Sequence, residues 1–317
     1  MALPDFLLIG APKAGSTAIH QALVRHPQLF LSTPKEPKYF LTVEEPPRRH
    51  HHRGPGDAHS AQEWIWQRER YEGLFDAAPP GTLRGESTPF YLWDRGAHLR
   101  IRAAVPHAKL IAIIRDPVDR AYSNWTHLWC DGLEPEADFR AACRLESERA
   151  AAGYAPFWRY LGLSRYGEQF EHLFSVFPRE QVHVLRYREL VDHPVHTLDA
   201  IFAFLGVQTG VVQAVPPSNM SGWAEDGLLN TALRKAIRTG ATLGSYAPPQ
   251  VWRQAQRPLV ATLRRDKSHR PHLAVDDRRA LVEEFRNDIG LLEDLLDRDF
   301  QDWLGDSGRG TYAVRRS

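Results

Sequence analysis

Residues 6–26, FLLIGAPKAGSTAIHQALVRH, set a short apolar run, a glycine-bounded loop and a helical pattern in immediate succession. No other stretch of the chain restricts its fold as tightly. Phe6–Ile9 is continuously apolar and ended by Gly10, as expected of a strand buried on both faces of a parallel sheet. Thr17–His26 reads as a helix stopped before Pro27. The free N–H groups and the positive dipole end at the start of such a helix favour an anion.

The same alternation recurs along the chain. Leu29–Leu31 is a second short strand, followed by Lys35-Glu-Pro-Lys-Tyr-Phe40. Trp64–Phe75 has the spacing of an amphipathic helix, and Gly81–Glu86 is strand-like and leads into Ser87-Thr-Pro-Phe-Tyr91. Lys109–Ile114 is the clearest buried strand. It ends in Arg115-Asp116-Pro117, where Asp116 can cap and Pro117 can open a helix running to about Cys130. Tyr166–Phe177 reads as a helix, Val182–Leu185 as a strand, Thr197–Leu205 as a helix closed by Gly206, and Asp276–Leu304 as one long helical pattern. This βαβα order predicts an α/β, P-loop-like three-layer fold: a central parallel sheet with helices on both faces. Residues 1–305 are expected to form one domain, with the Pro-, Gly- and His-rich stretch 41–62 as a loop or flap and 306–317 as a tail.

Charge narrows the partners. Forty basic residues are almost cancelled by thirty-nine acidic ones, which argues against a general nucleic-acid or anionic-membrane binder. Cys130 and Cys143 are the only cysteines of 317 residues, too few for a secreted disulfide framework, so a reducing cytoplasm is the expected location. No window approaches the ~18 apolar residues of a membrane span, and the first residues lack the basic start of a secretory signal. A soluble chain with no membrane span is expected, and its oligomeric state stays open, a homo-oligomer included. His50–His52 cannot all face one ion from a Pro/Gly-rich loop, so no metal is expected there.

The first loop, G-A-P-K-A-G-S-T, keeps the glycine spacing of a Walker A loop but not its lysine. The Walker lysine position is Ser16, and the cation stands earlier at Lys13. That suits an anion lying differently in the loop, without a long triphosphate. A second constellation stands at the end of Lys109–Ile114, where strand ends of a doubly wound sheet form a ligand crevice. Arg115 lies there, with Ser123 eight residues later on the following helix. An arginine fork and a serine hydroxyl make a phosphate clamp, although Arg115 could equally pair with Asp116 or Asp119.

These two signatures, K-x-G-[ST]-[ST] and R-D-P-V-D-R-A-Y-S, resemble those of sulfotransferases that use 3′-phosphoadenosine 5′-phosphosulfate (PAPS). The resemblance extends through K-E-P-K-Y-F, G-E-S-T-P-F-Y, the segment from Tyr166 to Leu190, F-L-G at Phe204 and L-L-D-R-D-F-Q-D-W, and is nearest to the glycan-directed, heparan-type branch and its bacterial relatives. It implies that Lys13, Ala14, Gly15, Ser16, Thr17 and Ala18 hold the 5′-phosphosulfate, and that Arg115 and Ser123 hold the 3′-phosphate. It also implies adenine contacts from Tyr166 and from Ser221, Gly222 and Trp223. Glu36 stands where that branch places its catalytic glutamate, and Lys13 would stabilise the leaving phosphate. No metal is needed, and the products would be 3′,5′-adenosine bisphosphate and a sulfate ester.

Glu86 is the competing base, with a structural ion pair as its expected role. Ser87 stands where the glycan branch often has lysine, so Lys35 or Lys38 would have to supply that charge. Glu86, Phe90, Tyr91 and Trp93 are the candidate contacts for the acceptor, a hydroxyl-bearing small molecule, glycan or glycolipid. Trp64, Trp66, Phe157 and Trp158 add aromatic faces nearby. Two other readings share the crevice: a P-loop kinase of small metabolites, and a nucleotide-binding module without catalysis.

Overall fold

The computed structural model describes residues 3–46, 64–215, 228–244, 249–263 and 272–305. Ser221, Gly222 and Trp223, His50–His52 with most of the expected flap, and residues 306–317 lie outside the described residues.

Five parallel strands form one sheet: β1 (Phe6–Gly10), β2 (Leu29–Leu31), β3 (Leu83–Ser87), β4 (Lys109–Ile114) and β5 (Val182–Arg186), in the order β2-β3-β1-β4-β5. The described helices are α1 (Ser16–Val24), α2 (Arg68–Glu72), α3 (Arg95–Ala104), α4 (Pro117–Cys130), α5 (Phe139–Arg144), α6 (Glu146–Ala151), α7 (Tyr166–Val176), α8 (Tyr187–Asp192), α9 (Pro194–Leu205), α10 (Leu228–Gly244), α11 (Pro249–Leu263) and α12 (Val275–Leu296). The expected α/β fold with a central parallel sheet is present. Every residue of β1 is buried, as are Leu110–Ile114 of β4, which is why both read as uninterrupted apolar runs.

Topology decides where a ligand can sit. The β1-to-β2 connection crosses the sheet in one direction, whereas β3-to-β4 and β4-to-β5 cross in the other. Right-handed crossovers therefore place α1 on one face and α3 and α7 on the opposite face. Contacts agree with this. His26, just past α1, donates from Nε2 to the Gln208 carbonyl at 2.8 Å, and its ring lies 4.5 Å from that of Phe202 in α9. On the other face α7 packs between α3 and α12. The chain thus leaves β1 and β4 towards different sides, and the crevice at their carboxyl ends is the switch point of the sheet.

Local chemistry sets the edges of that crevice. The Asp116 carboxylate accepts from the N–H groups of Val118 and Asp119 at 2.9 and 3.0 Å, and Pro117 opens α4, as the sequence predicts. Arg278 of α12 grips the same carboxylate at 2.5 Å, so the turn that presents Arg115 is held from both sides.

Two elements depart from expectation. Trp64–Phe75 is helical only from Arg68, because the Ile65 N–H donates to the Pro37 carbonyl at 2.9 Å and keeps 64–67 extended along the Lys35–Phe40 loop. The pattern from Asp276 to Leu304 is two elements. α12 stops at Leu296, Asp297 turns left-handed at φ 49°, and the chain folds back to bury Phe300 and Trp303.

Candidate functional site

The loop between β1 and α1 is held by its neighbours more than by its own bonds. Arg120 of α4, 0% exposed, donates to the Pro12 carbonyl at 3.4 Å, Ser164 Oγ at 2.6 Å, Asn124 Oδ1 at 3.0 Å and the Tyr160 carbonyl at 2.7 Å. Burial pushes its guanidinium down to about 10, still charged at neutral pH. Gly15 sits at φ 104°, and a Cβ there would lie 2.9 Å from the Tyr187 ring and 3.3 Å from Ile113. Only glycine allows both that conformation and that approach. Gly15 caps α1, and no side chain bonds to the first-turn N–H groups as a cap, the arrangement that leaves such groups for an anion. Lys13, at φ 66°, is half-buried in this loop, Ala14 and Ser16 are buried, and Thr17 is exposed. The Ala18 N–H is already bonded to the Gly15 carbonyl at 3.0 Å.

At the end of β4 the Arg115 guanidinium stands 4.8 Å from the centre of the Tyr187 ring and 3.9 Å from Asp119. Asp119 and Ser123 are one turn apart on α4 and share a face, so Arg115 lies over the face that carries Ser123. Tyr187 opens α8 directly after β5 and touches both Gly15 and Arg115. The two proposed half-clamps therefore converge on one ring. Sequence reasoning missed Tyr187 as a site residue; its signal was the V-x-V-L-x-Y run that closes β5.

A further wall, at the end of β3 beside β1, is the Lys35–Phe40 loop. Lys35 and Glu36 form an ion pair with side chains 16% and 22% exposed, and Glu36, at φ 62°, donates its N–H to the Ser87 carbonyl at 3.0 Å. Lys38 is 2% exposed, with its ammonium 5.2 Å from the centre of the Trp64 ring. Of the two lysines offered for the missing cation, Lys35 is the one at the carboxylate. His20 completes this wall, its Nδ1 2.8 Å from Ser87 Oγ. Burial and the Lys35 ammonium push the imidazole down to about 4. His20 was also missed, and its signal was a position one turn beyond Ser16.

Three sequence expectations are corrected. Glu86 makes no ion pair with any described residue; it is 0% exposed, and the hydroxyls of Tyr71, Tyr91 and Thr88 surround it without closing a hydrogen bond of ordinary geometry. Tyr91 is equally buried, its hydroxyl oxygen accepting from the Phe40 N–H at 3.2 Å. Neither reaches an acceptor. Tyr166 is 1% exposed, its ring 6.2 Å from that of Trp303, so it is packed in the core and has no face for adenine. Phe90 is 8% exposed, 5.9 Å from Phe157. Trp93 is half-buried, with the Arg159 guanidinium 5.4 Å from its ring centre.

Burial pushes the Glu86 carboxyl up to about 8, so it is protonated at neutral pH. The unfolded chain ionises this group near the ordinary carboxylate value, about 4.5. Between the two values the folded state binds the extra proton, so stability falls as pH rises through this window. The melting temperature of Glu86→Gln should therefore gain on that of the native protein from pH 5 to pH 8. A difference that does not change with pH would show the carboxyl ionising normally.

Among the described residues no cluster of His, Cys, Asp and Glu side chains is arranged for a metal ion, and no helix is long and apolar enough to cross a membrane. The sheet, the glycine loop after its central strand and the arginine on the neighbouring strand define an α/β protein with both features beside one tyrosine at the switch point of the sheet. The pattern of the sulfotransferase family matches residues 4–210. The chain belongs to the sulfotransferase family. It is 30% identical over 216 residues to human bifunctional heparan sulfate N-deacetylase/N-sulfotransferase 3, covering 65% of this chain and 22% of that protein. It is 28% identical over 207 residues to human heparan sulfate glucosamine 3-O-sulfotransferase 3B1, covering 65% and 47%. The chain thus spans less than half the length of these curated relatives. A sulfotransferase from Alicyclobacillus acidocaldarius superposes with a TM-score of 0.72 at 28% identity, over 96% of this chain and 99% of that one.

Proposed function

We propose that the protein transfers a sulfuryl group from PAPS to a hydroxyl of a carbohydrate, glycolipid or small metabolite. The observation that carries this reading is the approach of Gly15 and Arg115 to the one Tyr187 ring, with the Lys35–Glu36 pair on the loop bonded to the end of the neighbouring strand β3. The site fits the donor. It offers the glycine loop that opens α1 for one anionic end, and Arg115 beside the helix face that carries Ser123 for the other. The bound donor supplies an electrophilic sulfur and a bisphosphate leaving group.

The protein's own groups do the rest. Lys13 and the N-terminal amides of α1 draw charge from the departing phosphate. Glu36 takes the acceptor proton as the new O–S bond forms and the S–O bond to phosphate breaks, giving 3′,5′-adenosine bisphosphate and a sulfate ester. Lys35 holds the Glu36 carboxylate in place. The two curated relatives are named for heparan sulfate, which supports a glycan acceptor; Ser87, where that branch often has lysine, favours a less anionic one.

Incubation with radiolabelled PAPS and a metabolite extract, followed by mass analysis of whatever gains sulfate, tests the proposal. Transfer should persist in excess chelator, and ATP with magnesium should donate nothing. Phosphoryl transfer from ATP, with none from PAPS, would establish the kinase reading instead.

A further inference from the structure

His20 is not a residue the proposed chemistry uses, yet it is bonded to the segment that presents the base. Its Nδ1 meets Ser87 Oγ at 2.8 Å, while the carbonyl of the same serine accepts the Glu36 N–H at 3.0 Å. Ser87 is 0% exposed and ends β3 beside β1. A continuous chain therefore runs from the helix that begins at the phosphosulfate loop, through one buried serine, to Glu36, whose backbone is held left-handed at φ 62°. We propose that His20 is a positioning residue for sulfuryl transfer, acting through Ser87 to fix Glu36 relative to the donor loop.

The charged neighbours of the imidazole explain why a histidine serves here. Lys35 and Glu36 face it from the loop, and burial and the Lys35 ammonium keep it neutral. A neutral imidazole spans the gap to Ser87 without competing with Lys35 for the Glu36 carboxylate. A cation here would draw that carboxylate away from an acceptor hydroxyl. Glu36 conformation is thereby coupled to α1, the element that carries the anion site, so base and leaving group are set by one helix.

The inference rests on the sulfotransferase reading, and its test separates the two. His20→Leu keeps the volume and removes the bond, whereas His20→Asn offers a polar atom near the position of Nδ1. We expect His20→Leu to lower kcat about tenfold, with donor KM and bisphosphate affinity unchanged, and His20→Asn to stay within about threefold of the native enzyme. Ser87→Ala should cost about the same as His20→Leu, and the double variant no more than either, because both break one chain. Additive losses, or a loss of donor affinity in step with kcat, would overturn the inference and leave His20 a packing residue. If the native protein transfers nothing, the sulfotransferase reading fails. The imidazole can then be followed by nitrogen NMR: it should stay neutral from pH 8 to pH 5, and titration near 6.5 overturns the device.

Discussion

Lys13→Gly is expected to reduce turnover by about a thousandfold while stability stays within about 1 kcal/mol of the native value. The first half follows from position. Lys13 belongs to the loop whose glycine lies against Tyr187 and opens α1. A cation and hydrogen-bond donor aimed at a leaving oxygen acts most strongly as charge develops there, so its loss appears in kcat more than in donor affinity. The second half follows from the backbone. Lys13 is left-handed at φ 66°, a conformation that costs a side-chain-bearing residue about 1 kcal/mol. Glycine relieves that cost and adds a similar entropic one on folding. Steady-state kinetics beside a thermal melt would check both halves. Turnover within tenfold of the native enzyme would remove Lys13 from the leaving-group role.

The left-handed backbone of Lys13 is not isolated. Among the described residues the non-glycine positions with positive φ are Lys13, Glu36, Lys38, Glu44 and Asp297. Three of these five lie in two loops, the one that follows β1 and the one that follows β2. Strain of this kind persists where the surroundings over-determine it, and it clusters at functional sites. Here the surroundings are identifiable. Arg120 fixes the Pro12 carbonyl, and the Ser87 carbonyl fixes Glu36.

What could be read in advance was what local chemistry dictates. β1 and β4 are uninterrupted apolar runs because both faces are covered, and Asp116-Pro117 carries its cap in two adjacent residues. The loop glycine was visible for the same reason. Contacts between distant segments were not visible. Nothing near Asp116 shows that Arg278, 162 residues away, will hold it. Nothing near Glu86 shows that three hydroxyls and the Lys35–Phe40 loop will bury it. Tyr91, Tyr166 and Tyr187 carry the same side chain: two lie inside the core and the third lies between the anion loop and Arg115. Burial is a property of the assembled layers, and an aromatic residue fits a core and a crevice equally well.

Glu36→Gln is expected to lower turnover by about a hundredfold to ten-thousandfold, the span of one general base, with adenosine bisphosphate affinity unchanged. Two other groups could in principle take the acceptor proton, and each fails on a separate physical ground. Glu86 has no exposed atom, and burial pushes it up to about 8, so at neutral pH it already carries its proton. His20 has its Nδ1 committed to the buried Ser87 Oγ at 2.8 Å. Glu36 is 22% exposed, is paired with Lys35 and is bonded through its N–H to the end of β3. Glutamine keeps the volume of the side chain and the Ser87 contact, which uses only the backbone N–H, but gives up the Lys35 ion pair, so an unchanged melting temperature and bisphosphate affinity are what separate a lost base from a displaced loop. Glu36→Gln and Glu86→Gln compared at one pH, with the same acceptor, distinguish the bases directly. The first should lose turnover and keep its melting temperature; the second should keep turnover and gain stability above neutral pH. Full turnover in Glu36→Gln would require the proton to leave by way of another acceptor group, such as the substrate itself.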